Sequence, residues 1–354
     1  MLDKVKVAAV QVPPAFMDRE GTVDRACKAI EEVGRNDADL AVFSETFIPG
    51  FPYWRGVQPI SRWSELMVEY QRNSMLIPGD DTELLCDAAE DACVIVAMGC
   101  TEMSDLMGSL TLYNTILLID GDGEIMGKHR KLMPTHGERM VWGMGDVSDI
   151  CVFDTDIGTI GGLVCYEHHM TLQKAALCAM GEEIHCAMWP GYWVMDRHPG
   201  EKRRWEDGDP VNKCDIEHAV REYAFENQCF VVSVGQYIPT DEMPDWCQDF
   251  NVAAGGSMIV NPAGVVLEGP LLNKEGILYA ELDAADRGMT KAYFDSMGHY
   301  SRWDLLRLDI RGEPLSPLVE NKDMIPLDRL EAVAERNEMD PEELLDILSE
   351  LDEE

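Results

Sequence analysis

The chain is short of positive charge. Its 29 Lys and Arg stand against 66 Asp and Glu, for a formal net charge of −37 over 354 residues. Binding to duplex nucleic acid or to an anionic membrane rests on Lys and Arg neutralising phosphate, so neither is expected as a partner. Long apolar runs are missing too. No stretch approaches 18 uninterrupted apolar residues, so no transmembrane helix is expected. The opening MLDKVKVAAVQVPP enters a strand-like pattern without the apolar core or cleavage site of a signal peptide, which predicts a cytoplasmic protein. The 11 cysteines lack paired short spacings and lie mostly in apolar runs, which reads as reduced, buried thiols rather than disulfides. With 18 Arg but only 11 Lys, the surface suits either high salt or an ordinary acidic cytosol.

What is present is globular. Hydrophobic residues make up 46% of the chain, and 29 Gly and 18 Pro are dispersed through it. The length exceeds the roughly 250 to 300 residues at which single cores stop growing, which predicts a large domain with an appendage. Apolar runs alternate with amphipathic stretches, the α/β pattern. Strands are expected at 5–12, 40–44, 94–100, 158–165, 184–189 and 229–235, and helices at 21–34, 62–77, 170–180 and 216–227. The turn Asp120-Gly121-Asp122-Gly123 joins 112–119 to 124–131 as a hairpin, and 256–260 with 264–268 forms a later one. The last 35 residues hold 14 acidic and three basic residues. Asp340-Pro341-Glu342-Glu343 reads there as a helix start.

Glu45, Lys131 and Cys165 each lie at or just past the C-terminal end of a predicted strand, where ligands bind in open α/β sheets. An ordinary Cys is only a few per cent thiolate at neutral pH and needs a base or a cation to become an effective nucleophile. A Glu can be that base. A Lys ammonium about 4 Å away can hold an anionic intermediate. The adjacent His168 and His169 point apart and no HExxH spacing occurs, so no metal is expected.

The segments VFSETFIPGFPYW (42–54), KHRKLMPTHGERMVWGMGD (128–146), GGLVCYEHHM (161–170) and GHYSRWD (298–304) resemble the nitrilase superfamily, and its true nitrilase branch. The resemblance runs from about residue 4 to 312. It implies a four-layer α-β-β-α sandwich at 1–312, after which the charge pattern gives an acidic, partly helical tail at 313–354. It also implies Glu45 as general base, Lys131 as the stabilising cation, Cys165 as nucleophile and Glu138 as a further glutamate beside the cysteine. The implied reaction converts a small organic nitrile and water to an acid and ammonia through a thioimidate and a thioester, with some amide and with no cofactor. Lys131 and the Tyr166 N–H would form the oxyanion hole. Tyr53, Tyr166, Trp189 and Tyr192 are the substrate-binding candidates. A homo-oligomer, a dimer or a larger spiral, is implied as well. Tyr166 stands where the family more often has Trp, and Trp303 where it has Pro. An amidase or carbamoylase, a cyanide-degrading enzyme and a non-catalytic assembly protein remain the other readings.

Overall fold

The computed structural model describes residues 1–106, 108–196 and 201–312. The acidic tail and its expected helix lie outside the described residues.

The first half of the chain builds one sheet. Strands β1 (Lys4–Gln11), β2 (Leu40–Val42), β3 (Ile95–Met103), β4 (Leu112–Ile119) and β5 (Ile125–Arg130) enclose helices α1 (Arg19–Arg35), α2 (Ile60–Arg72) and α3 (Asp80–Ala92). The second half adds β6 (Phe153–Thr155), β7 (Gly158–Val164), α4 (Thr171–Ala179), β8 (Ile184–Trp189), the ribbon β9 (Trp193–Met195) with β10 (Lys202–Arg204), and α5 (Asp215–Asn227). It continues with β11 (Phe230–Gly235), β12 (Gly255–Val260), β13 (Val266–Leu272), β14 (Gly276–Asp283) and α6 (Ala284–Tyr293). Two six-stranded sheets result, ordered β14-β1-β2-β3-β4-β5 and β13-β12-β11-β8-β7-β6.

Alternation along the strands decides what each sheet covers. On β1, Val5, Val7 and Ala9 join a core with Leu163, Ile184 and Val231 of the other sheet, while Ala8 and Val10 join Val23, Ile30 and Leu85 of α1 and α3. On the far side, α5 packs Ile216, Val220 and Tyr223 against the second sheet. The layers therefore run helix, sheet, sheet, helix. Each Val, Leu or Ile fully buried there contributes about 1.5–3 kcal/mol.

The expected hairpin forms, with β4 paired to β5 across the Asp-Gly-Asp-Gly turn. Other boundaries shift for identifiable reasons. β2 stops at Val42, two residues early, because the chain turns through Thr46 at φ 42°. β3 runs on to Met103 because every residue from Val96 pairs with β4. The expected strand to Cys165 ends at Val164, and residues 165–169 form a single 3-10 turn. β14 was absent from the expected elements. It is held by eight antiparallel partners on β1, from Lys4 with Asp283 to Gln11 with Gly276, a pairing some 270 residues apart in sequence. The ribbon β9–β10 was absent as well, since its Lys-Arg-Arg strand carries no apolar period. Trp303 is 44% exposed and donates its indole N–H to the Met297 carbonyl at 3.2 Å.

Candidate active site

Three strand ends deliver three side chains to one place. Glu45 follows β2 in a loop that lies so close to β3 that a Cβ on Gly99 would sit 2.0 Å from the Ser44 carbonyl; only glycine admits the approach. Lys131 is the first residue after β5 and Cys165 the first after β7. Cys165 holds φ 52°, a left-handed conformation that non-glycine residues adopt at a cost and that recurs at functional turns. Glu138 comes from the short turn His136–Met140.

All four are buried, with Glu45 0%, Lys131 1%, Cys165 4% and Glu138 4% exposed. Lys131 Nζ donates to Glu138 Oε2 at 2.7 Å and to Glu45 Oε1 at 3.2 Å. Asn114 Nδ2 donates to Glu45 Oε1 at 2.7 Å, and the Thr135 N–H donates to Glu138 Oε2 at 2.8 Å. Glu45 Oε2 has no protein partner although it is buried. The Cys165 Sγ and one oxygen from each carboxylate all lie within 4.8 Å of one another. Three such donors could hold a cation, and the Lys131 ammonium already supplies one there.

Burial pushes the Glu45 carboxyl up to about 7, with Lys131 opposing and Glu138 adding to the rise. Burial also drives the Cys165 thiol well above its ordinary range, reinforced by Glu45 and Glu138 and opposed by Lys131. Burial disfavours the Lys131 ammonium, but Glu138, Glu45 and Cys165 together outweigh it and hold the proton on. At neutral pH the arrangement is a thiol beside a carboxyl poised to exchange protons, with a fixed positive charge at their side.

Two hydrogen-bond systems that were not among the candidate residues brace this group. Glu167 accepts from the Val164 N–H at 2.9 Å and the Leu132 N–H at 2.8 Å, the residues flanking Cys165 and Lys131, and also from Gln173 at 3.1 Å. His129 Nε2 lies 2.8 Å from Glu167. Burial opposes both charges, yet their pairing lifts His129 to about 9 and lowers Glu167. The second system starts at the Cys165 turn. His168 Nδ1 is 2.7 Å from the Cys165 carbonyl, His168 Nε2 is 3.0 Å from His185 Nε2, His185 Nδ1 is 2.6 Å from Glu182, and the Tyr223 hydroxyl donates to Glu182 at 2.6 Å. A carbonyl only accepts, so His168 Nδ1 carries a proton. Burial and His185 hold His168 neutral, with its pKa well below normal. His168 Nε2 therefore accepts from His185, and the Glu182 carboxylate accepts from both His185 Nδ1 and the Tyr223 hydroxyl. His168 thus both packs beside the Cys165 turn and bonds within it, while His169 sits out at 44% side-chain exposure, 3.9 Å from Asp215.

Gln236, immediately after β11, ties the sheets together: its Nε2 donates to the Glu45 carbonyl at 2.9 Å, and its Oε1 accepts from the Phe51 N–H and the Tyr53 hydroxyl, each at 3.0 Å. Tyr53 is thereby placed directly behind the Glu45 loop. Tyr166 flanks Cys165, half-buried, with its ring 6.2 Å from Trp193. Trp189 is fully buried and stacks on His168 at 4.6 Å. Tyr192 is fully buried, and its hydroxyl donates to the Val211 carbonyl at 3.0 Å. No ring contact joins Tyr192 to Tyr166 among the described residues.

Residues 6–292 match the carbon-nitrogen hydrolase family. The chain belongs to that family. The hydrolase is 37% identical to an aliphatic nitrilase of Rhodococcus rhodochrous over 322 residues, covering 88% of this chain and 84% of the relative. It is 35% identical to nitrilase 2 of Arabidopsis thaliana over 332 residues, covering 89% and 91%. In fold it is similar to Nit3 of Saccharomyces cerevisiae, a member of branch 10 of the nitrilase superfamily, with a TM-score of 0.66 at 20% identity over 84% of this chain and 96% of that one. No described helix is long and apolar enough to cross a membrane.

Proposed function

We propose that the protein is a nitrilase that hydrolyses a small organic nitrile to the carboxylic acid and ammonia. The observation that carries this reading is the buried Glu45–Lys131–Glu138–Cys165 group, in a chain 37% identical over most of its length to an enzyme named for nitrile hydrolysis. Glu45 takes the Cys165 thiol proton as Sγ bonds to the nitrile carbon, and the proton passes to the nitrile nitrogen, leaving a thioimidate. Water adds, with Glu45 as base, and ammonia leaves to give a thioester. A second water releases the acid and restores the thiol. Lys131, with the Tyr166 N–H, stabilises the negative charge on the reacting atoms in each tetrahedral step, and Glu138 holds the Lys131 ammonium in place. If the thiol leaves before ammonia, the product is the amide.

Tyr53, Tyr166, Trp189 and Tyr192 surround the substrate in this reading. Residues 1–312 form the catalytic body of a cytoplasmic homo-oligomer, and 313–354 form a tail used in its assembly. The same triad would serve an amidase, a carbamoylase or a cyanide-degrading enzyme. A panel of nitriles and their matched amides, with acid, amide and ammonia quantified, separates these. Acid and ammonia from nitriles support the proposal; rapid ammonia release from amides alone overturns it.

A further inference from the structure

We propose that the site selects nitriles that also carry a carboxylate, bound by the ammonium of Lys202. This deepens the nitrilase reading and rests on it. Lys202 opens strand β10, and its Nζ lies 4.2 Å from the ring centroid of Tyr166 and 4.1 Å from that of Trp193. Tyr166 directly follows Cys165, so the ammonium stands at the nucleophile's shoulder. Lys202 and Cys165 each sense the other's charge.

The two aromatic faces attract the cation, but they use none of its N–H donors. Among the described residues no acceptor is hydrogen-bonded to Nζ and no carboxylate lies within ion-pair distance; Asp215 acts on it only from farther away. A second cation stands nearby. The Arg55 guanidinium lies 5.1 Å from the Phe51 ring centroid, has no ion-pair partner among the described residues, and disfavours the charge on Lys202. Burial likewise lowers the Lys202 pKa. A half-buried ammonium that another cation disfavours, with no acceptor on its donors among the described residues, is a group that an incoming anion relieves.

The setting makes this selective. The protein carries a net charge of −37, which repels anionic solutes at long range, but salt screens that field beyond about 8 Å. Within that distance Lys202 and Arg55 supply positive charge, with Asp215 opposing them. The anion they bind cannot be the group undergoing reaction, because the nitrile carbon must meet Sγ. It is a second group on the same molecule, an acceptor for the ammonium and guanidinium donors, as a carboxylate is.

The test compares matched pairs: 3-cyanopropanoate with its neutral isostere 4-methylpentanenitrile, and 4-cyanobutanoate with 5-methylhexanenitrile. Wild type is expected to show the higher kcat/KM on the carboxylates, and added KCl to narrow the gap. Lys202→Met is expected to cut the ratio of kcat/KM for carboxylate over isostere by about 30-fold, mainly through KM, as expected when a charged recognition contact is lost. Lys202→Arg is expected to keep most of that ratio, which guards against a folding artefact. Equal losses on both members of a pair, or no wild-type preference, would overturn the inference while leaving nitrile hydrolysis standing. Failure to hydrolyse any nitrile would overturn both.

Discussion

Glu45, Lys131 and Glu138 leave the first sheet and hold one another by charge, whereas Cys165 leaves the second sheet and is held through its backbone. On the first side one ammonium is shared by two carboxylates at 2.7 and 3.2 Å. On the second side a chain of His168, His185, Glu182 and Tyr223 ends on the Cys165 carbonyl. The difference follows from what the proposed mechanism asks of each side. A base and a cation must keep their charges in a dry site, which only opposite charge at close range permits. A nucleophile must keep its sulfur free, so the protein grips its main chain instead. Glu167 belongs to both sides, accepting from the N–H groups beside Cys165 and Lys131.

The sharpest break of this comparison removes the nucleophile. Cys165→Ala is expected to lower kcat by at least about 10⁴-fold while leaving the thermal transition close to wild type, and adding Glu45→Gln to that variant is expected to cost little more, because the groups act as a unit. Differential scanning calorimetry with product assays checks both. Next is Lys131→Met, which leaves two buried carboxylates without their cation. A stability loss of about 3–5 kcal/mol is expected from urea unfolding, along with loss of turnover. Glu182→Gln on the other side keeps an amide where His185 and Tyr223 bond, so a loss of only about 1–3 kcal/mol and a drop in kcat with KM little changed are expected.

The comparison also extends to pH. In the proposed mechanism Glu45 must be ionised to accept the thiol proton, and burial pushes its carboxyl up to about 7. Activity in kcat/KM is therefore expected to fall as pH drops through about 7, an apparent value belonging to the coupled group. Glu138 raises the Glu45 carboxyl, so Glu138→Gln is expected to move this acid limb to lower pH. A limb that stays in place or moves up would contradict the assignment. The smallest effect is expected from Gln236→Leu, which removes the tie to the Glu45 carbonyl: kcat falls by about tenfold while Cys165 alkylation by iodoacetamide keeps its rate.

What could be read in advance depended on how local the signal was. The β4–β5 hairpin announces itself in Asp120-Gly121-Asp122-Gly123, and α1 in the spacing of Val23, Ala26, Ile30 and Val33. Glu45, Lys131 and Cys165 could be placed at strand ends from periodicity, but their roles came from family resemblance. The bracing residues left no such trace. His185 sits in an apolar strand and meets His168 and Glu182 only after folding. Gln236 and Glu45 are 191 residues apart. β14 likewise depends on a distant partner, and its residues from Gly276 to Ala280 are only partly buried.

Rapid-quench mass spectrometry during nitrile turnover tests the central claim most directly. The account predicts a transient acyl or imidoyl adduct on the peptide carrying Cys165, absent from Cys165→Ala. Acid formation by Cys165→Ala at wild-type rate, or an adduct on another cysteine, would contradict it.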